Sequence, residues 1–354
     1  MGRTEHCYGW PEEINMRALA LNYDSRLLEY CDVPEPGDPG PREVLLEVLE
    51  VGVCGTDRDL AQFRFGTPPK GETRLILGHE ALARVRAVGS KVSTVVPGDL
   101  VVPRVRHRCL PACQSCANNR SDLCLTGGYK ERGIVGLHGF FAPLALDDSE
   151  NLQIIPTGLE DLGVLVEPLS VVEKAWELAL RLRHDLAVRN VVVIGAGAVG
   201  LLTAFVARLH GCSVTVVSRE PVNSARAKLV RQSGCAYQTN FNQLSADVVI
   251  EAAGSTEAGC QGLECLAACG VLVALGAPDG IAKIPFLKMI VGNQILAGSV
   301  NAAPHHFDLA VNNLRRMDQN LAGCLVERRS FRSARETILS GPGESVKVVH
   351  RFDL

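Results

Sequence analysis

The stretch "VVVIGAGAVGLL" (residues 191–202) sets the architecture of this chain. A β-branched run leads into a turn with Gly195, Gly197 and Gly200 in G-x-G-x-x-G spacing, and an apolar helical pattern follows at once. The hexapeptide alone is a weak signal. Here it opens a strand–turn–helix–strand unit that closes on "VTVVSRE" at residues 214–220. Each glycine then has a physical task. Gly195 makes the tight turn, Gly197 admits a pyrophosphate close to the backbone, and Gly200 allows tight helix–strand packing. The first turn of the helix, with Ala198 and Val199, offers unpaired N–H groups to phosphate. At the end of the second strand stand Ser218, Arg219 and Glu220. An acidic side chain there accepts from the ribose 2′-hydroxyl of NAD, whereas a basic one pairs with the 2′-phosphate of NADP. Arg219 favours NADP, and Glu220 leaves NAD as the alternative.

Outward from this unit, strands and helices alternate: "LLTAFVARLHG", "CSVTVVSR", "ARAKLVRQSG", "ADVVIEAAG", "CQGLECLAACG" and "VLVALG". That alternation, preceded by the helical "VEKAWELALRL", is the pattern of a doubly wound parallel sheet. Residues 16–150 have another texture: short β-type runs cut by Gly and Pro, such as "EVLLEVLEVGVCG" and "VVPGDLVVPRV". They predict a compact, partly closed β-domain. After residue 300 the sequence turns polar, with a helical "HHFDLAVNNLRRM" and a final strand in "SVKVVHRFDL". The expected organisation is an extension (1–15), a β-rich domain (16–170) with a cysteine lobe at 107–126, a nucleotide domain (171–300), and a return to the first domain (301–354).

Composition narrows the function. With 354 residues and 47% hydrophobic content the chain can bury more than one core. Its net charge of −3 gives no electrostatic case for nucleic acid or an acidic membrane. The most apolar run, residues 191–207, is short for a membrane span and interrupted by glycines. The first fifteen residues contain no signal-peptide core, so a reducing, cytoplasmic setting is expected.

Thirteen cysteines are present. Cys212, Cys235, Cys260, Cys265 and Cys269 lie among Ala, Leu and Val and read as small buried hydrophobes. "CLPACQSCANNRSDLC" differs in kind: Cys109, Cys113, Cys116 and Cys124 lie within one polar loop. Four soft ligands this close, in a reducing compartment, suit a closed tetrahedral zinc site. His107 competes for the first ligand position. A second, catalytic zinc is suggested by "GVCGTD", "GHE" and "VEPLS", which supply Cys54, His79, Glu80 and Glu167. Each alone has a plain structural explanation. Together they match a site with few protein ligands and one open position, which lowers the pKa of a bound hydroxyl. Thr56 can pass the released proton onward.

These motifs occur in order with "LGHE", "VVPGDLVV" and "VIGAGAVG", and so the sequence resembles the zinc-dependent medium-chain dehydrogenase/reductase superfamily. Residues 131–144, 164–175 and 296–307 resemble its glucose 1-dehydrogenase branch. The resemblance implies an α/β chain made of a GroES-like β-rich catalytic domain and a doubly wound Rossmann domain. It implies catalytic zinc at Cys54, His79 and either Glu80 or Glu167, and structural zinc at the four lobe cysteines. It implies sugar contacts from Thr56, Glu131, Glu167 and Asn301. Cofactor contacts would come from Gly195 to Gly200, Ser218 to Glu220, Ala274, Leu275, Gly276, Ser299, Val300, Asn301 and Lys347. Two departures from the pattern stand out: the wider Cys109–Cys113 gap, and a single basic residue at 218–220.

The activity implied is NAD(P)-dependent, zinc-dependent oxidation of an aldose, D-glucose or a related sugar such as galactose, at C1 to the aldonolactone. A sorbitol-type polyol dehydrogenase is the alternative within enzymes, because "EPLSV" also fits it. A catalytically inactive NADPH-binding scaffold is the alternative outside them. A homo-oligomer is expected, with the edge strand in "QILAGSV" as a pairing element.

Overall fold

The computed structural model describes residues 15–276 and 280–352. The expected N-terminal extension falls, up to residue 14, outside the described residues. A strand begins directly after it, at Asn15–Asn22.

The larger antiparallel sheet is built around the strand Glu43–Gly52, "EVLLEVLEVG". Its alternation buries Val44, Leu46 and Val48 on one face, as a half-buried strand requires. On one side it pairs with Glu80–Val88, and on the other with Lys347–Arg351, so the chain's final strand closes onto its third. Val326–Ser330 runs parallel to that final strand at the sheet edge. Gly52 sits opposite Glu80 and beside Val349 in register. The end of Glu43–Gly52 therefore delivers Cys54 to the same corner to which the start of Glu80–Val88 delivers His79.

The second large sheet has six parallel strands in the order Ala236–Gln238, Ser213–Val217, Asn190–Ile194, Ala246–Glu251, Leu266–Ala274, Ile295–Gly298. Asn190–Ile194 lies between strands reached in opposite directions along the chain, so the crevice at its carboxyl end is the switch point where such sheets bind ligands. The apolar run at 191–207 resolves into this strand and the helix Ala198–Leu209. Among the described residues no helix is long and apolar enough to cross a membrane. "CQGLECLAACG" departs from the helix read in the sequence: the helix is Thr256–Glu264, and a strand starts at Leu266. The cause is tertiary pairing, since Leu266 already aligns with Ala246 of the neighbouring strand.

The helix Val166–Leu182 joins the two sheets. Its Leu169, Val172, Ala175 and Trp176 share one apolar cluster with Leu82, Val102 and Val349 of the antiparallel sheet and Val193, Ile250 and Val273 of the parallel one. Burial of each large side chain there contributes about 1.5–3 kcal/mol.

Candidate active site

Cys54 caps the short helix Gly55–Ala61, and its thiol sulfur accepts from the Thr56 N–H at 3.3 Å. Its Sγ lies 3.1 Å from His79 Nε2. Behind both stands Asp57, fully buried. One Asp57 oxygen accepts from the Cys54 N–H at 2.9 Å, and the other lies 3.4 Å from His79 Nδ1. One carboxylate thus orients a thiol and an imidazole together, the usual task of a group behind metal ligands. Burial opposes charge on His79, but Cys54 and Asp57 outweigh it and hold the ring well above the ordinary histidine range. The potential ligand atoms of Cys54, Asp57 and His79 all lie within 4.8 Å of one another.

Two further carboxyls crowd this corner. Glu80 is buried and ion-paired with the buried Lys347, whose ammonium also donates to the Val53 carbonyl at 3.2 Å. Glu167 is buried on the first turn of Val166–Leu182, and burial, with Glu80 adding to it, pushes its carboxyl up to about 8. Four acidic groups, Cys54, Asp57, Glu80 and Glu167, therefore face two bases, His79 and Lys347. Asp57 Oδ1 and His79 Nδ1 have no hydrogen-bond partner of normal geometry. A divalent cation on the Cys54 Sγ and His79 Nε2 side offsets the excess of acidic groups and leaves His79 Nδ1 to carry its proton toward Asp57 Oδ1, so the donor set fits a metal.

Two of the expected site residues are engaged with each other. The Lys347 side chain stands beside Gly52, and its ammonium is committed to Glu80 and the Val53 carbonyl. Glu80 and Glu167 both stand outside the cluster formed by Cys54, Asp57 and His79, and Glu80 is engaged from behind by Lys347. Asp57 was not singled out in the sequence; the available signal was its position three residues after Cys54, where its carboxylate caps the start of the helix.

The four lobe cysteines also converge. The sulfurs of Cys109, Cys113, Cys116 and Cys124 lie within 4.8 Å of one another, and all four are free thiols. Cys113 and Cys124 sulfurs are 3.9 Å apart, far beyond a disulfide. The backbone N–H groups of Cys116 and Leu125 draw the Cys113 thiol down to about 6, while burial pushes Cys116 up to about 12. Their donor set fits a tetrahedral metal ion. His107 is excluded from it, because its ring turns to Asp147 at 3.5 Å and Asn151 at 3.3 Å.

At the parallel sheet's crevice, the three glycines differ in what requires them. Gly195 has φ +102°, which only glycine adopts readily. A Cβ on Gly200 would overlap the Gly195 carbonyl oxygen. Gly197 has an ordinary extended backbone, and a Cβ there would meet nothing within 4 Å. Nothing inside the protein asks for glycine at 197, so the open space in front of it fits a ligand. Ala198, Val199 and Gly200 start the helix, with no side chain capping it. Beyond the second strand, Ser218 and Arg226 both bond the Glu220 carboxylate, Arg226 at 2.9 Å. Arg219 is exposed beside them. Leu275 and Gly276 donate their N–H groups to the Glu251 carbonyl, and Ser299 donates to Ala274, so these loops share one rim. Ala274, Gly276, Ser299 and Val300 line a cleft of about 580 Å³ with Lys174 and His306.

The two residues expected to grip a sugar from opposite halves of the chain meet directly. Asn301 Nδ2 donates to Glu131 Oε1 at 2.9 Å. Glu131 is buried and also accepts from Arg106 Nε at 2.8 Å. Thr56 is half-buried on the helix that Cys54 starts.

The chain is similar to known proteins over most of its length. Residues 40–157 match the alcohol dehydrogenase GroES-like domain, and residues 160–352 match the glucose dehydrogenase C-terminus. The chain is 43% identical over 307 residues to glucose 1-dehydrogenase of Thermoproteus tenax, covering 84% of this chain and 86% of the relative. It is 38% identical over 339 residues to glucose 1-dehydrogenase 2 of Vulcanisaeta moutnovskia, covering 91% and 94%. Among solved structures, Haloferax mediterranei glucose dehydrogenase in complex with NADP, Zn and gluconolactone superposes with a TM-score of 0.86 at 28% identity, covering 95% of this chain and 99% of that one.

The glycine turn yields a paired expectation. Gly197→Ala keeps the unfolding midpoint of the parent and weakens NADPH binding by about tenfold or more, read by fluorescence titration. Gly200→Ala lowers stability by about 1–3 kcal/mol, because its Cβ meets backbone. Unchanged NADPH affinity in Gly197→Ala would remove the pyrophosphate from this turn.

Proposed function

Because the chain belongs to the glucose dehydrogenase family of zinc-dependent medium-chain dehydrogenases, we propose that it oxidises the C1 hydroxyl of a cyclic aldose, D-glucose foremost, to the aldonolactone. NADP is the coenzyme, with NAD as a second acceptor, and two zinc ions are carried per chain. The observation that carries this reading is the 3.1 Å approach of Cys54 Sγ to His79 Nε2 over the Asp57 carboxylate.

When bound, zinc would supply Lewis acidity toward the C1 oxygen, and the nicotinamide would supply the hydride acceptor. The chain's own residues do the rest. Cys54 and His79 hold the catalytic ion, and Asp57 fixes the angle of both. Glu167 completes the protein ligands in preference to Glu80, whose carboxylate Lys347 already occupies. The Thr56 hydroxyl takes the proton released from the C1 hydroxyl and hands it to solvent. Glu131 and Asn301 accept from and donate to the neighbouring sugar hydroxyls, so an analogue lacking those hydroxyls leaves buried polar groups unpaired. The turn from Gly195 to Gly200 seats the pyrophosphate. Arg219, exposed beside a Glu220 already bonded to Ser218 and Arg226, pairs with the 2′-phosphate. The lobe cysteines carry the second, structural ion.

The reading extends to assembly and setting. Ile295–Gly298 forms an unpaired edge of the parallel sheet, next to the helix Phe286–Gly292. That helix exposes Phe286, Leu287, Ile290 and Val291, an apolar patch of the kind that marks a partner surface. A second copy, continuing the sheet edge to edge, covers both features at once. Every cysteine among the described residues is free, which accords with a reducing cytoplasm.

Two measurements test these points. Turnover of glucose, galactose, xylose and sorbitol with each coenzyme is expected to favour glucose with NADP; activity on sorbitol alone would contradict the aldose reading. Light scattering is expected to show an oligomer for the parent and a monomer for Ile290→Lys; a monomeric parent would remove the pairing surface.

A further inference from the structure

The loop 299–301 is held by a closed circuit of hydrogen bonds whose far side is the four-cysteine lobe. The Val300 carbonyl accepts from Lys174 Nζ at 2.8 Å. The same ammonium lies 2.8 Å from Asp122 Oδ2. Asp122 sits on the short turn Ser121–Leu123, between Cys116 and Cys124, and Arg120 grips its two oxygens at 2.9 Å each. Its backbone carbonyl accepts from Arg106 Nη1 at 3.2 Å. Arg106 Nε donates to Glu131 Oε1, and that oxygen accepts from Asn301 Nδ2. Val300 and Asn301 are neighbours in the chain, so the circuit closes.

Three features set this circuit apart from a surface network. Arg106, Asp122, Glu131 and Lys174 are all buried, so the loss of any member leaves a charged partner without water. Asn301 holds φ +61°, a left-handed conformation that asparagine reaches more readily than most residues, at the point where its amide meets Glu131. The members also come from opposite parts of the chain: Arg106, Asp122 and Glu131 flank or belong to the lobe, whereas Lys174 and the loop belong to the second half.

We infer that the lobe positions the sugar- and coenzyme-facing loop, and that Asp122 and Lys174 are positioning residues that transmit the lobe's geometry to Val300 and Asn301. Both side chains are committed to this circuit through Val300, Arg120 and each other. Each sets where the Asn301 amide stands relative to Glu131, and where the rim of Ser299 and Val300 stands relative to Ala274 and Gly276. The inference rests on the reading of 299–301 as a substrate and coenzyme loop.

The test uses the full chain with Lys174→Met, which keeps the apolar stem and removes the donor. The Michaelis constant for glucose is expected to rise about tenfold with kcat within about threefold of the parent, and NADPH affinity is expected to fall in fluorescence titration. Asp122→Asn, the milder change, shifts both quantities the same way. The double variant is expected to be no worse than the worse single, because both act along one route. Zinc content remains at the parent level in each, which separates the effect from metal loss. Asn313→Leu serves as the stability control: it removes the buried 2.9 Å bond from Asn313 to Glu173 on the same helix as Lys174. It is expected to lower the melting temperature with an unchanged Michaelis constant. If Lys174→Met and Asp122→Asn behave like that control, or if their effects on the Michaelis constant add, the positioning role is wrong. If the parent itself turns over no aldose, the functional reading fails instead.

Discussion

A buried carboxylate that serves two neighbours governs this structure. Asp57 accepts the Cys54 N–H and faces the His79 ring, and through it a thiol from one strand end and an imidazole from another are held 3.1 Å apart. Such an arrangement is costly without a cation. Acidic groups outnumber bases in a corner where Asp57, His79, Glu80 and Glu167 are buried, and the burden shows in Glu167, pushed up to about 8 by burial and then by Glu80. Lys347 relieves one carboxylate from behind and leaves the others to a metal. The antiparallel sheet is arranged around this need. Its central strand must end where Glu80–Val88 begins, and the last strand of the chain must return to supply the lysine.

The second requirement is that two halves of the chain meet over the substrate. The shared apolar cluster around Val166–Leu182 sets their distance, and polar contacts set their register. Asn301 reaching Glu131, and Lys174 reaching the Val300 carbonyl, are directional bonds between groups far apart in sequence. Hydrophobic packing holds the halves together but specifies no angle, whereas buried charged hydrogen bonds do. The cysteine lobe lies at the root of both bonds, which gives a metal remote from the chemistry a reason to be there.

What could be read from the sequence follows from how local each cause is. The glycine turn was legible because its constraints are met within six residues: a positive φ at Gly195 and a backbone contact at Gly200. The lobe was legible because four cysteines in one loop have few other uses, although only the structure removed His107 by turning it toward Asp147. Cys54 and His79 could be named, but their meeting depends on strand register, which no short motif encodes. Asp57 was not named, because a carboxylate three residues after a helix start is an ordinary capping residue, a task it also performs. Lys347 could be named, but a lysine in a terminal strand carries no local sign that Glu80 will be its partner. Glu251 was missed altogether: it is buried at a strand end, where its carboxylate accepts from the Ala253 N–H at 2.8 Å and its carbonyl from Leu275 and Gly276.

Zinc-edge absorption spectroscopy of the full chain, alongside elemental analysis of the parent and of His79→Ala, bears most directly on whether that corner captures an ion. The parent should contain two zincs per chain, one with four sulfurs at about 2.3 Å and one with a single sulfur among nitrogen and oxygen. In the variant one zinc should vanish and the remaining spectrum should be all sulfur. A parent holding only the all-sulfur ion would mean that the Cys54–His79 pair captures no metal, and the catalytic account would fall with it.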